Sequence, residues 1–251
     1  MMQQSKFFEP ATRHLVVFGD SHSTPASTRD SWVDHLQSMM RKESTIVYNY
    51  AEVGATATMD IRDQVRWFLA QFPTPSTPEF QAPLHPNRTL YIIFIGANDI
   101  GSNDEPDVTK IVEKIMDAAH HLYMDAKASQ ILFINMLPIE CSPGCTTNKA
   151  FYKFQVEEFN ENLLNRVIEL KENAFIFNPT YYSIHSLLNN IFKYPRLMGF
   201  KRKDVRNAGS IWKDDIHLTS TIHKMIAEDI FKTIIEAQYP HMLMHDSNDK
   251  K

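Results

Sequence analysis

The 251-residue chain predicts an α/β fold: a three-layer α/β/α sandwich with helices on both faces of a central, mainly parallel five-stranded sheet. Three observations predict it. Short apolar runs rich in Val, Ile, Phe and Tyr alternate with longer stretches of helical spacing. The runs are continuously apolar rather than alternating, as strands covered on both faces require. Finally, 43% apolar and 22% charged residues describe a soluble chain able to bury a sizeable core.

In chain order, the expected strands are Leu15–Phe18, Thr45–Tyr50, Leu90–Ile95, Ile131–Met136 and Ala174–Phe177. Helical spacing covers Ser31–Met40, then Asp60–Phe72, where Ile61, Val65, Phe68 and Leu69 share a face. It returns at Asp107–Lys127 and Phe151–Lys171, again after the last strand, and in Thr219–Gln238, with Ile222, Ile226 and Ile230 on one side. No internal repeat occurs, and residues 1–251 are expected to form a single domain. The stretch at about 72–88, FPTPSTPEFQAPLHPN, carries too many prolines for ladder or helix. As a helix-to-strand connection it belongs at the amino edge of the sheet, opposite any ligand site, because open α/β sheets bind ligands at the carboxyl edge.

A formal charge of −4 supplies no overall attraction to nucleic acid or to an anionic membrane. No apolar run approaches the roughly 20 residues of a membrane-spanning helix. The start, MMQQSKFFEPATRH, has no apolar signal core, so the chain as given is expected to be cytoplasmic. Secretion would require a leader removed beforehand, which the sequon Asn87-Arg88-Thr89 leaves open. A monomer is expected. Cys141 and Cys145, in CSPGC, could be bridged or free, and no set of metal ligands surrounds them. His120-His121 reads as exposed helix surface and Met39-Met40 as core filling. The chain contains no GxSxG elbow, Walker loop, dinucleotide-binding glycine fingerprint or HExxH. No cofactor or metal is expected.

The positions after the strands form a set of their own. Gly19-Asp20-Ser21 follows the first run, Asn49-Tyr50-Ala51-Glu52-Val53-Gly54-Ala55-Thr56 the second, and Gly96-Ala97-Asn98-Asp99 the third. Trp212-Lys213-Asp214-Asp215-Ile216-His217 precedes the final helix. Taken alone, Ser21 would be a helix N-cap, Gly54 a turn glycine, Asn98-Asp99 an Asx turn and His217 a surface residue.

Together, in this order and at strand ends, the four blocks resemble the SGNH hydrolases, also called the GDSL esterase/lipase family. The likeness runs from Gly19 to His217 and implies a flavodoxin-like sheet and a serine esterase. It implies Ser21 as nucleophile, His217 as general base and then acid, and Asp214 as the group that orients and stabilises the imidazole. Chemistry fits these roles. A serine hydroxyl is barely ionised at neutral pH and needs a base that titrates near 7. Asp214, three residues before His217, can reach one ring nitrogen while the hydroxyl takes the other; Asp215 is the poorer partner. The resemblance also implies an oxyanion hole made by the backbone N–H groups of Ser21 and Gly54 and the side-chain amide of Asn98. Ser21 is expected to open a helix, whose dipole would favour the developing negative charge. Asp20 and Asp99 are expected to brace their turns.

The segment Ile191–Arg206, IFKYPRLMGFKRKDVR, is expected to rim the catalytic edge. Its Lys201, Arg202 and Lys203, with Trp212 nearby, are expected to contact an anionic or polyhydroxylated substrate in the cleft. His22 stands where the family usually has leucine, and it has no assigned role. The blocks NYAEVGAT, GANDI and DDIH look most like the fungal-type branch that contains carbohydrate acetylesterases. The expected substrate is therefore a small-molecule or carbohydrate ester with a short acyl group, acetyl first. The alternative is a lipase or lysophospholipase for longer chains, and beyond it a non-catalytic binding protein on the same fold.

Overall fold

The computed structural model describes residues 12–24, 30–40, 45–73, 84–173 and 178–238. The elements run β1 (His14–Gly19), α1 (Trp32–Met39), β2 (Ile46–Asn49), α2 (Ile61–Gln71), β3 (Thr89–Phe94), α3 (Ala97–Gly101) and α4 (Val108–Ala126). They continue with β4 (Gln130–Ile134), α5 (Lys149–Asn173), β5 (Asn178–Tyr182), α6 (Ile184–Lys193) and α7 (Ser220–Gln238). All neighbouring strands pair in parallel, in the order β2-β1-β3-β4-β5. The chain turns back between β1 and β3, so their carboxyl ends open a crevice at the point where ligands of such sheets bind.

Each central strand divides its side chains between two cores, as period two demands. From β1, Val16 and Phe18 join a core with Ile61 and Phe68 of α2, Ile111 and Ile115 of α4, and Phe159 of α5. Leu15 and Val17 face the other way, against Trp32 and Leu36 of α1, Leu188 of α6, and Ile222, Ile226 and Ile230 of α7. On that second face α7 lies directly against α1, joining the chain's last described helix to its first. Ser31 caps α1 in a capping box: its hydroxyl accepts the Asp34 N–H while the Asp34 carboxylate accepts the Ser31 N–H.

Two elements differ from expectation. The fifth strand was expected at Ala174–Phe177, which lies outside the described residues; the fifth described strand is Asn178–Tyr182, NPTYY. A proline inside a strand argues against a ladder, but β5 is at the sheet's edge, where one side of the strand has no partner to lose. Ser21 does not open a helix. It sits in a turn at Ser21–Ser23, and α1 begins only at Trp32. The helix-dipole contribution expected at its N–H is therefore withdrawn. Of the proline-rich stretch, residues 74–83 lie outside the described residues; Pro86–Arg88 forms a short 3-10 turn entering β3 at the amino edge.

Candidate active site

At the carboxyl end of β1 the chain must leave the sheet abruptly. A Cβ on Gly19 would lie 2.5 Å from the Phe94 carbonyl oxygen of β3, so only glycine lets the two strands end side by side. The Gly19 backbone is then held by Gln64 of α2, whose amide accepts from Gly19 N–H at 2.9 Å and donates to Gly19 C=O at 2.8 Å. Asp20, fully buried, accepts the His22 N–H at 2.9 Å and closes the turn that carries Ser21. Burial pushes the Asp20 carboxyl up to about 7, against the His22 N–H, which favours the charged form.

The block after β2 is fastened to the block after β3. Asp99 accepts the N–H of Ala57 at 2.7 Å and of Thr58 at 3.0 Å, and the Thr58 hydroxyl at 2.7 Å. Asn98 donates from its amide to Ala55 C=O at 2.9 Å. An amide nitrogen carries two protons, so one remains for another acceptor. Gly54 has φ +77°, a conformation that favours glycine, and open space around its α-carbon. The N–H groups of Ser21 and Gly54 donate to no protein acceptor among the described residues. Asp20 and Asp99 thus brace the two turns, as expected of them.

His217 arrives from the far end of the sequence. Its Nε2 lies 3.0 Å from Ser21 Oγ across 196 residues. Its Nδ1 lies 3.0 and 2.9 Å from the two Asp214 oxygens. Asp214 Oδ1 also accepts the backbone N–H of Ile216 at 3.0 Å and of His217 at 2.8 Å, which fixes carboxylate and imidazole on one turn of chain. Partial burial works to raise the Asp214 carboxyl, but these donors outweigh it and hold it below its usual value. The Asp214 side chain is 49% exposed and that of His217 33%, so the pair borders water. Asp215 is engaged instead through its carbonyl, which accepts Gly144 N–H at 2.9 Å. A cavity of about 510 Å³ opens over these groups, lined by Ser21, His22, Lys213, His217 and His223 among others.

His22 packs under this cavity, its ring 5.8 Å from Phe94 and 5.6 Å from His217. Its Nδ1 and that of His223 are buried without a hydrogen-bond partner among the described residues. Burial, then the nearby His217, pushes His22 down to about 3; burial, then His35 and His217, pushes His223 down to about 4. Both rings are neutral beside the Ser21–His217 pair. Of these, only His22 was marked in the sequence, as a departure from the family's usual leucine; His223 and Gln64 carried no signal.

The substrate-contact expectations fare differently. Trp212 is fully buried between the sheet and Phe192, its indole N–H donating to Val205 C=O at 2.9 Å; it lines no cleft. Arg202 and Lys203 line a separate cavity, not the one over Ser21, and Lys201 is exposed with its N–H bound to Asp204. None of the four expected contact residues, Lys201, Arg202, Lys203 and Trp212, lines the cavity over Ser21, and the buried Trp212 is not open to a substrate. Cys141 and Cys145 are free thiols, each raised by burial. His121 pairs with Asp125, one turn on, on the exposed face of α4 at 3.2 Å. No group of three or more His, Cys, Asp or Glu suited to a metal occurs among the described residues.

A serine hydroxyl, an imidazole and a carboxylate in line, at the carboxyl edge of a parallel sheet, define a serine-hydrolase arrangement. Residues 15–230 match the GDSL-like lipase/acylhydrolase family, and the chain belongs to it. It is a serine ester hydrolase acting on carboxylic esters. An acetylesterase of Thermothelomyces thermophilus is 24% identical over 204 residues, covering 66% of this chain and 67% of the relative. Among solved structures, an acetyl xylan esterase superposes with a TM-score of 0.61 at 11% identity, over 88% of this chain and 100% of that one. A catalytic mutant of the acetylxylan esterase Axe2 from Geobacillus stearothermophilus gives 0.57 at 16%, over 88% and 94%. No described helix is long and apolar enough to cross a membrane.

Proposed function

We propose that the chain is a short-chain esterase, acetyl first, that works through an acyl-enzyme on Ser21. The observation that carries this reading is the 3.0 Å approach of His217 Nε2 to Ser21 Oγ, with Nδ1 held by Asp214. In the first step Ser21 Oγ attacks the ester carbonyl carbon and passes its proton to His217 Nε2. The tetrahedral oxyanion receives the N–H groups of Ser21 and Gly54 and the second amide proton of Asn98. As it collapses, the ester C–O bond breaks and the alcohol leaves with the proton from His217. A water then gives a proton to His217 and attacks the acyl carbon; Ser21 takes that proton back as the acid leaves. Asp214 stabilises the imidazolium in both steps.

Acetyl selectivity draws support from the lining of the Ser21 cavity, where polar side chains outnumber the two apolar ones, Val53 at the rim, 78% exposed, and the buried Leu218. It offers no long apolar track for a fatty acyl chain. The names of the acetylesterase relative and of the acetyl xylan esterase neighbours point the same way, toward a carbohydrate ester. The reading takes the chain as one catalytic domain acting as a monomer.

The test is hydrolysis of p-nitrophenyl esters from acetate to palmitate by the wild type and by Ser21→Ala. Rates should fall with chain length and vanish in the variant. Rates that rise with length would make it a lipase, and hydrolysis that survives Ser21→Ala would remove the mechanism.

A further inference from the structure

A second cavity, of about 820 Å³, shares none of the lining of the one over Ser21. Four cations line it: Lys193 at the end of α6, and Arg202, Lys203 and Arg206 from the segment that follows. Among the described residues none of the four stands in an ion pair, although the chain as a whole is acidic. The segment 193–207 holds six cations and one acid, Asp204. That carboxylate is buried and accepts the Lys201 N–H at 2.9 Å, so it is committed to its own turn. Unbalanced like charge in a concavity focuses potential outward and draws an anion of matching shape. Phe192 and Pro195 add apolar surface to the same wall.

The cavity sits at the catalytic edge. Cys141, in the connection that leaves the carboxyl end of β4, forms part of its lining. A few residues on, Gly144 N–H bonds Asp215 C=O, tying that connection to the Asp214–His217 block. A tight turn links the two linings: in it Ala208 bridges Trp212 and Gly209 N–H bonds Trp212 C=O at 2.7 Å. Asn207 leaves one side of this turn into the basic cavity, and Lys213 leaves the other into the Ser21 cavity. A chain-like substrate could span that turn.

We infer that the basic cavity is a subsite for an anionic polysaccharide, holding carboxylates borne on the same glycan whose ester is presented to Ser21. The inference rests on the esterase reading above and names its substrate class. A glycan fits better than an anionic membrane because the turn from Asn207 to Lys213 joins the basic lining to that of the Ser21 cavity, so that one extended chain can reach both. The contribution is electrostatic, so it weakens as salt rises.

The test is calorimetric binding of oligogalacturonate to the full chain at low and high salt, using wild type, Lys193→Glu/Arg206→Glu and Ser21→Ala. Wild type and Ser21→Ala should bind alike, and the charge reversal should weaken binding about tenfold or more. Neutral xylo-oligosaccharide should show no such difference. With catalytically intact protein, the preference for acetylated oligogalacturonide over acetylated xylo-oligosaccharide in kcat/KM should fall by about the same factor. An unchanged melting temperature shows that the reversed variant is folded. Equal binding by wild type and the reversed variant, or no binding by either, overturns the inference. So does capture by phosphatidylglycerol vesicles in place of the glycan. Failure of the esterase reading would appear separately, as hydrolysis of p-nitrophenyl acetate by Ser21→Ala with the binding result intact.

Discussion

The side-chain amide of Gln64 and the backbone of Gly19 form a closed pair of hydrogen bonds, 2.9 Å inward and 2.8 Å outward, buried among the apolar residues of α2 and the sheet. Asn160 of α5 does the same at Met136, accepting its N–H at 2.7 Å and donating to its carbonyl at 3.1 Å. In each case a helix amide completes the hydrogen bonding of backbone at or just past the end of a strand, where the ladder no longer reaches. The turn that carries Ser21 is therefore anchored from behind, without a group that intrudes on the cavity.

Gln64→Leu keeps the bulk and removes both bonds, leaving the buried Gly19 N–H unpaired and its C=O with only the Glu52 N–H at 3.2 Å. The expected loss is about 1–3 kcal/mol of stability, read as a lower urea midpoint. Because the Ser21 turn loses its anchor, kcat should fall even under conditions where the variant remains folded.

Asp214→Ala removes the carboxylate that holds His217 Nδ1. A fall in kcat of roughly 10²–10⁴-fold with modest change in KM is expected. Since the side chain borders water, the lower part of that range is the better expectation. Steady-state kinetics on p-nitrophenyl acetate give the answer, and a change of less than about threefold would remove Asp214 from the mechanism.

If Asn98 is the oxyanion donor proposed above, Asn98→Ala should cost roughly 10²–10³-fold in kcat, the loss typical of removing one such donor. The bond to Ala55 is lost as well. A melting curve alongside the kinetics separates loosening of that loop from loss of the donor.

His22 and His223 should set the acid limit of stability. Their pKa values in the folded protein, about 3 and about 4, lie below the usual imidazole value of 6.5, so the unfolded chain binds more protons between those limits. Their neutral burial is fully stabilising above pH 6.5 and is lost as pH falls toward 4 and then 3. Each contributes a slope of up to about 1.4 kcal/mol per pH unit in that window. Asp20 acts in the opposite sense: raised to about 7 from 3.8, it favours the fold below pH 4 and ceases to do so as pH rises through 7. Urea midpoints of wild type and His22→Phe from pH 4 to 8 should differ by a constant above pH 6.5 and by a changing amount below it. A constant difference throughout would refute the assignment.

Continuous apolar runs such as Leu15–Phe18 and Leu90–Ile95 made the sheet legible, because burial on both faces leaves one reading for a short β-branched stretch. The same logic missed β5, whose Asn-Pro-Thr start is tolerated through its edge position, a property of the assembled sheet. At the site, spacing alone allowed Asp214 to share a turn with His217, and the four blocks could be set on one edge by topology. The roles of Gln64, His22 and His223 stayed invisible because they depend on what packs around them. Trp212 misled for a related reason: a large aromatic next to a reactive block reads as a binding platform until its indole is found pointing into the core.

The apposition of α7 and α1 has a consequence in time as well as in space. Ser21 is among the earliest residues of the sheet to be synthesised, while His217 enters only with the segment that α7 anchors on α1. Until that last helix docks, the hydroxyl has no base. On the proposed mechanism a growing or partly folded chain thus carries an inert serine, and ester hydrolysis starts only when α7 has docked on α1. Turnover in this protein would then serve as a built-in gauge of completed folding.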